Sequence, residues 1–224
     1  MVAAAVAAGA VAADTELHAY GDEIADCTRC ALAGGRTQVV FGSGDPASDL
    51  MFVGEAPGFH EDKQGIPFVG AAGNLLDQLL GGIGLTRADV YVANVLKCRP
   101  PGNRDPMPDE IEACEGHLWK QIELIKPRVV ATLGNFATKL LSGRPTGITR
   151  VHGQEQETTL GGRRVLLYPI YHPAAALYTP RMLEVLKADF ARIPELLGRE
   201  VAPPPEPVFL MPATAQPAVQ LGLF

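Results

Sequence analysis

Residues 50–70 read LMFVGEAPGFHEDKQGIPFVG. The first four are apolar without alternation, which suits a strand buried on both faces of a parallel sheet. The run then breaks into Gly54, a carboxylate at Glu55, a Pro-Gly turn, two more acids at Glu61 and Asp62, and a second turn at Pro67-Phe68. A loop so rich in acids and glycine does more than connect two elements. Glu55, at the end of an apolar strand, is the residue whose purpose needs explaining.

Three further runs have the same character: VYVANV (Val90–Val95), RVVATLG (Arg128–Gly134) and VLLYPIYH (Val165–His172). Segments with helical spacing separate them. Ala71–Ile83 repeats Leu75, Leu76, Leu79 and Leu80. Pro108–Ile125 opens on Pro-Asp-Glu, a favourable first turn, and repeats Ile111, Cys114, Leu118, Ile122 and Ile125. Asn135–Leu141 and Arg181–Leu197 are read as helices too, and Thr15–Ala25 as an N-terminal one. This alternation predicts a single α/β domain, a central parallel four-stranded sheet flanked by helices. The expected layout is an alanine-rich, disordered start over residues 1–14, a folded domain over 15–197 and a proline-rich tail over 198–224.

With 47% hydrophobic and 20% charged residues the chain has the apolar material for a core. No stretch approaches the roughly 20 apolar residues of a membrane helix. The start, MVAAAVAAGAVAAD, resembles the apolar part of a signal peptide but carries no Lys or Arg ahead of it, so a cytoplasmic protein is expected. The net charge of −6 argues against nucleic-acid binding through bulk charge. Local basic groups survive that argument, among them Lys97, Arg99 and Arg104, and Arg181, Lys187 and Arg192.

Ligands of open α/β sheets bind outside the carboxyl ends of the strands. Here those ends deliver GEAPG, then Asn94, then LGN (Leu133–Asn135), then HPAAALYTPR after the last strand. A carboxylate, an amide and a histidine on one rim make a site. A phosphate loop is excluded, because GxxxxGK[ST] is absent and the first loop is acidic. The four cysteines are Cys27 and Cys30, a two-residue-spaced pair, with Cys98 and Cys114 on either side of RPPGNRDPMPDE. Together they could ligate zinc or an iron–sulfur cluster, and spacing alone does not separate the two.

GEAPGFHEDKQGIPFVGAAGNLL, NVLKCRPPGNRDPMPDE and YHPAAAL, with cysteines at these positions, closely resemble the family 4 uracil-DNA glycosylases, the iron–sulfur members of that superfamily. The match runs from about Asp26 to Pro194 in ordered blocks. The resemblance implies an enzyme of base excision repair that flips uracil out of DNA and hydrolyses its N-glycosidic bond. An abasic site is left, with no lyase step. The resemblance also implies a [4Fe–4S] cluster on Cys27, Cys30, Cys98 and Cys114. Glu55 and His172 are then catalytic, and Ala56, Glu61, Phe68 and Asn94 surround the uracil together with His172. Lys97, Arg99, Leu177 and Arg181 are expected to contact DNA, with Leu177 as the wedge and Tyr178 second to it.

The residue types suit that chemistry on their own. A carboxylate favours the cationic sugar of the transition state and can orient water. A histidine donor stabilises the departing base anion. Asn94 can match O4 and N3–H of uracil, a pattern cytosine lacks. A protein that captures uracil-DNA covalently is the competing reading, but the inserted histidine-bearing loop of such relatives is missing after Asn94. A general α/β hydrolase with a structural metal is a third reading, against which the absence of a GxSxG nucleophile elbow speaks. His18, His117 and His152 are read as surface or satisfied core residues. The last five residues, QLGLF (Gln220–Phe224), resemble the bacterial sliding-clamp-binding peptide. A monomeric, nucleoid-associated bacterial enzyme recruited to the clamp is the resulting expectation.

Overall fold

A computed structural model describes residues 14–199 of the chain. The alanine-rich start and the tail, including the Gln220–Phe224 motif, lie outside the described residues. Helix α1 covers residues 14–24. The strands are β1 (Ser43–Gly44), β2 (Leu50–Gly54), β3 (Tyr91–Asn94), β4 (Val129–Leu133), β5 (Gln156–Leu160) and β6 (Arg163–Ile170). The remaining helices are α2 (Phe59–Gln64), α3 (Ala71–Gly81), α4 (Pro108–Ile125), α5 (Asn135–Ser142), α6 (Ile148–Val151), α7 (Ala174–Tyr178), α8 (Pro180–Ala191) and α9 (Ile193–Gly198).

The sheet has six strands in the order β1-β3-β2-β4-β6-β5 and is mixed, which corrects the expectation of four parallel strands. β3, β2, β4 and β6 run parallel, while β1 and β5 add antiparallel edges to β3 and β6. The edges escape a search for unbroken apolar runs for physical reasons. β1 has two residues, and β5 (QETTL) alternates half-buried and exposed positions, as a half-wet edge strand does. β5 turns into β6 through Gly161 and Gly162, both at positive φ, the requirement of a two-residue hairpin turn that only glycine meets without strain.

Period-two alternation divides β2 between two cores. Met51 and Val53 join Leu118, Ile122 and Ile125 of α4 and Leu17 of α1. Leu50 and Phe52 face Leu76 and Leu80 of α3 and Leu186 and Phe190 of α8. All four of these β2 side chains are fully buried, each stabilising the fold by roughly 1.5–3 kcal/mol. The late helix divides at Arg192, where α9 restarts with Pro194 in its first turn.

From β2 the chain passes through α3 to β3 on one side, then through α4 to β4 on the other. β2 is therefore the switch point of the sheet, where the crevice for a ligand opens. Glu55 is the first residue beyond its carboxyl end.

Candidate active site

A cleft of about 690 Å³ opens at that rim, and Glu55, Ala56, Glu61, Phe68, Asn94 and His172 all line it. Its floor is made by close approach. Gly54 ends β2 directly beneath, and a Cβ there would lie 2.7 Å from Cζ of Phe68 and overlap Oδ1 of Asn94. Glycine at this position lets the ring and the amide sit side by side.

Asn94 ends β3 and is 2% exposed. Its Oδ1 is buried without a hydrogen-bond partner among the described residues. An unpaired buried amide oxygen costs about 1–3 kcal/mol, so this group is set to be matched by a donor from a ligand. The Phe68 and His172 rings are stacked, with centroids 5.5 Å apart and planes 25° from parallel. Phe68 is held at φ 57°, a left-handed conformation unusual for an aromatic residue and often found where function requires it.

His172 follows β6, and its Nδ1 accepts the backbone N–H of Ala174 at 3.2 Å. Burial depresses its pKa to about 4, against a smaller opposing effect of the Glu61 charge. The ring is thus neutral near pH 7 with its proton on Nε2, a tautomer fixed by the bond to the other nitrogen. Gly134 (φ 98°) brings the end of β4 against it, and a Cβ there would stand 3.2 Å from Cβ of His172. Burial raises the carboxyl pKa of Glu55, and the negative charge of Asp105 pushes it the same way.

Glu61 has a second task. Its Oε1 accepts the N–H groups of Val69 and Gly70, at 2.9 and 3.0 Å, and so braces the turn that carries Phe68.

The expected DNA contacts fare differently. Lys97 is 1% exposed, and its Nζ donates to the carbonyl of Asn94 at 2.7 Å and to Oε1 of Gln121 at 2.5 Å. It cannot reach a phosphate, and its role as a DNA contact is corrected to a buried strut beneath Asn94. Desolvation lowers its pKa to about 8. Arg99 lies over the exposed ring of Phe59 and donates to Oδ1 of Asn103 at 2.6 Å. Leu177 and Arg181 are exposed outside the cleft. Tyr178, 88% exposed, lines the cleft, as does Ala174 of the same segment. Arg104 also lines the cleft, bound to the buried carboxylate of Glu110 at 2.9 and 2.5 Å.

The four cysteine thiols gather beside the core under α4. Cys114 feels the charges of Cys30 and Cys27, and Cys98 those of Cys114 and Cys30. Two of the sulfurs are met by N–H donors, and a third by a histidine ring nitrogen. Lys97 N–H reaches Sγ of Cys114 at 3.3 Å, and Arg36 reaches Sγ of Cys98 at 3.6 Å. Nε2 of His117 lies 3.5 Å from Sγ of Cys27, while Nδ1 of the same ring meets the Tyr20 hydroxyl at 2.6 Å. His117 is a partnered, buried residue tied to this group, a role its sequence neighbourhood does not reveal. Among the described residues no three His, Cys, Asp or Glu close on a point where a single ion would sit.

Residues 41–194 match the family model of the uracil DNA glycosylase superfamily. The chain is 47% identical over 182 residues to the type-4 uracil-DNA glycosylase of Archaeoglobus fulgidus, covering 80% of this chain and 92% of that one. It is 46% identical to the type-4 enzyme of Sulfurisphaera tokodaii, over 80% of this chain and 84% of the relative. The type-4 enzyme of Thermotoga maritima is also 46% identical, over 72% of this chain and 83% of its own length. With a strand-end carboxylate, an unpaired amide, a stacked aromatic ring and a neutral histidine in one cleft, the chain belongs to the uracil DNA glycosylase superfamily, alongside its type-4 members.

Proposed function

We propose that residues 15–197 excise uracil from DNA by hydrolysing the N-glycosidic bond, leaving an abasic site for base excision repair. The observation that carries this reading is the buried, unpaired amide oxygen of Asn94 beside the stacked Phe68 and His172 rings. A planar base slides onto the Phe68 ring, and Asn94 accepts its N3–H while donating to O4. Cytosine offers neither group in that pattern, and a mismatched buried amide is a strong basis for rejection. The target nucleotide must first leave the stack. Tyr178, at the mouth, fills the space it vacates with the exposed Leu177 beside it, and Arg99 and Arg181 are assigned to the DNA backbone.

As the bond breaks, positive charge gathers on the sugar and negative charge on the departing base. Neutral His172 donates Nε2–H to the O2 side of that base. One such donor in a dry pocket lowers the barrier by about 3 kcal/mol. Glu55, ionised, favours the cationic sugar and orients the water that attacks it. Glu61 holds the Phe68 turn, with its acid group along the cleft wall. Among the described residues no lysine lines the cleft, and the proposed reaction ends at the abasic site.

Cys27, Cys30, Cys98 and Cys114 are assigned to a [4Fe–4S] cluster, which would supply a covalent tie between the segment after α1, the β3–α4 loop and α4. Burial raises the pKa of the Cys98 and Cys114 thiols, and Arg36 beside Cys98 and Lys97 beside Cys114 offset part of that rise. Gln220–Phe224 is assigned to clamp binding, and deleting it should abolish clamp association while leaving excision from a short oligonucleotide unchanged.

The excision reading is tested on a single-uracil oligonucleotide with wild type, Glu55→Gln and His172→Ala. Free uracil and an alkali-labile site are expected from the wild type, with release slowed about 100-fold or more in either variant. A complex that survives denaturation, with no free uracil, would mean covalent capture instead.

A further inference from the structure

Arg87 sits outside the cleft, yet its guanidinium is spent almost entirely on the turn that carries Phe68. Nη2 donates to the carbonyl of Phe68 at 2.8 Å and to that of Gly73 at 3.3 Å, and Nη1 to the carbonyl of Pro67 at 3.4 Å. Nε is paired with the Asp77 carboxylate of α3. The backbone that presents Arg87 is itself fixed, because Thr86 and Asp89 cap each other in the adjoining turn. On the opposite side Glu61 takes the two N–H groups that follow Phe68. Carbonyls are thus held by a cation and amides by an anion, across a residue at φ 57°. A left-handed aromatic residue costs about 1–3 kcal/mol and persists only where its surroundings over-determine it. Gly73 completes the restraint, since a Cβ there would overlap the Phe68 carbonyl.

We propose that Arg87 is a positioning residue for the reaction: with Glu61 it clamps the Pro67–Gly70 turn so that the Phe68 ring is held in its stacked position beside His172, ready for the extruded base. The proposal rests on the uracil-excising reading of the cleft. Lysine does not substitute, because one ammonium cannot serve the planar array of three carbonyls and a carboxylate.

The test is a double-mutant cycle on single-turnover uracil release, with Arg87→Ala, Phe68→Ala and the pair, alongside Arg87→Lys and Asp77→Asn. Arg87→Ala should slow release about tenfold or more, while the same change in the Phe68→Ala background alters it less than about twofold. Arg87→Lys should restore little, Asp77→Asn should give a smaller loss that also vanishes without the Phe68 ring, and affinity for uracil-free DNA should stay at the wild-type level throughout. Equal losses in both backgrounds, full activity of Arg87→Ala, or a parallel fall in affinity for uracil-free DNA would each overturn the clamp. Should Arg87→Ala fail to fold, Asp77→Asn decides alone, and unchanged release in that variant overturns the proposal. Wild-type protein that releases no uracil would instead sink the excision reading itself.

Discussion

Glu55 and His172 both titrate away from their ordinary values, and in ways that separate their effects on rate. Burial lowers the His172 pKa to about 4, so it stays a neutral donor down to that pH. Burial and the charge of Asp105 raise Glu55, and the active form of Glu55 is the ionised one. The sign follows: as pH falls, activity is lost first as Glu55 takes up a proton, before His172 does. Asp105→Asn removes a like charge, so the acid limb of the pH–rate profile should move to lower pH. A limb that stays in place would remove Asp105 from the account. At this scale the strand-end residues were legible, because an acid, an amide and a histidine have no reason to end buried strands unless a ligand meets them there. Lys97 and Arg87 were not. A basic residue in a loop reads as a solvated charge until the fold supplies the Asn94 and Gln121 partners of the one and the Phe68 turn of the other.

At the scale of elements, the site depends on how closely β2, β3 and the Phe68 turn approach. Gly54→Ala tests that packing. The added methyl meets both Phe68 and Asn94, so one of them must move. Uracil release should fall at least about 100-fold, since misplacement by about 1 Å costs that much. Stability should fall by about 1–3 kcal/mol from overpacking. Near-wild-type release, measured with a denaturant melt, would mean the floor of the cleft is looser than the distances imply. The central strands and the long helices α3 and α4 were readable because their apolar residues follow one period throughout. The edge strands and α2 were not. β1 is too short to show a pattern, β5 is half polar, and α2 (FHEDKQ) buries only Asp62, whose carboxylate accepts from Thr37 N–H and Oγ1 at 2.9 and 2.6 Å. A helix that buries an acid rather than a leucine has no hydrophobic signature to find.

For the whole molecule, the proposed cluster would join, through four cysteines, segments that the sheet does not. Cys27 and Cys30 lie just after α1, Cys98 follows β3, and Cys114 is on α4. Iron removal should therefore loosen residues 25–40 and α1 first and leave the parallel strands protected in hydrogen exchange. A loss of about 3 kcal/mol corresponds to a fall of roughly 6–12 °C in Tm for a domain of this size. Purified protein should carry about four irons per chain. Stoichiometric zinc in place of iron would contradict the cluster assignment.

The account stands on the claim that one cleft both reads uracil and breaks its bond to the sugar. The measurement that tests this most directly is free base released from three oligonucleotides that differ at one position, carrying uracil, cytosine or thymine, quantified by mass. Free uracil matched by an equal yield of abasic sites, with no cytosine or thymine released, is the predicted result. Intact uracil oligonucleotide after prolonged incubation with iron-loaded protein, or release of all three bases alike, would contradict it.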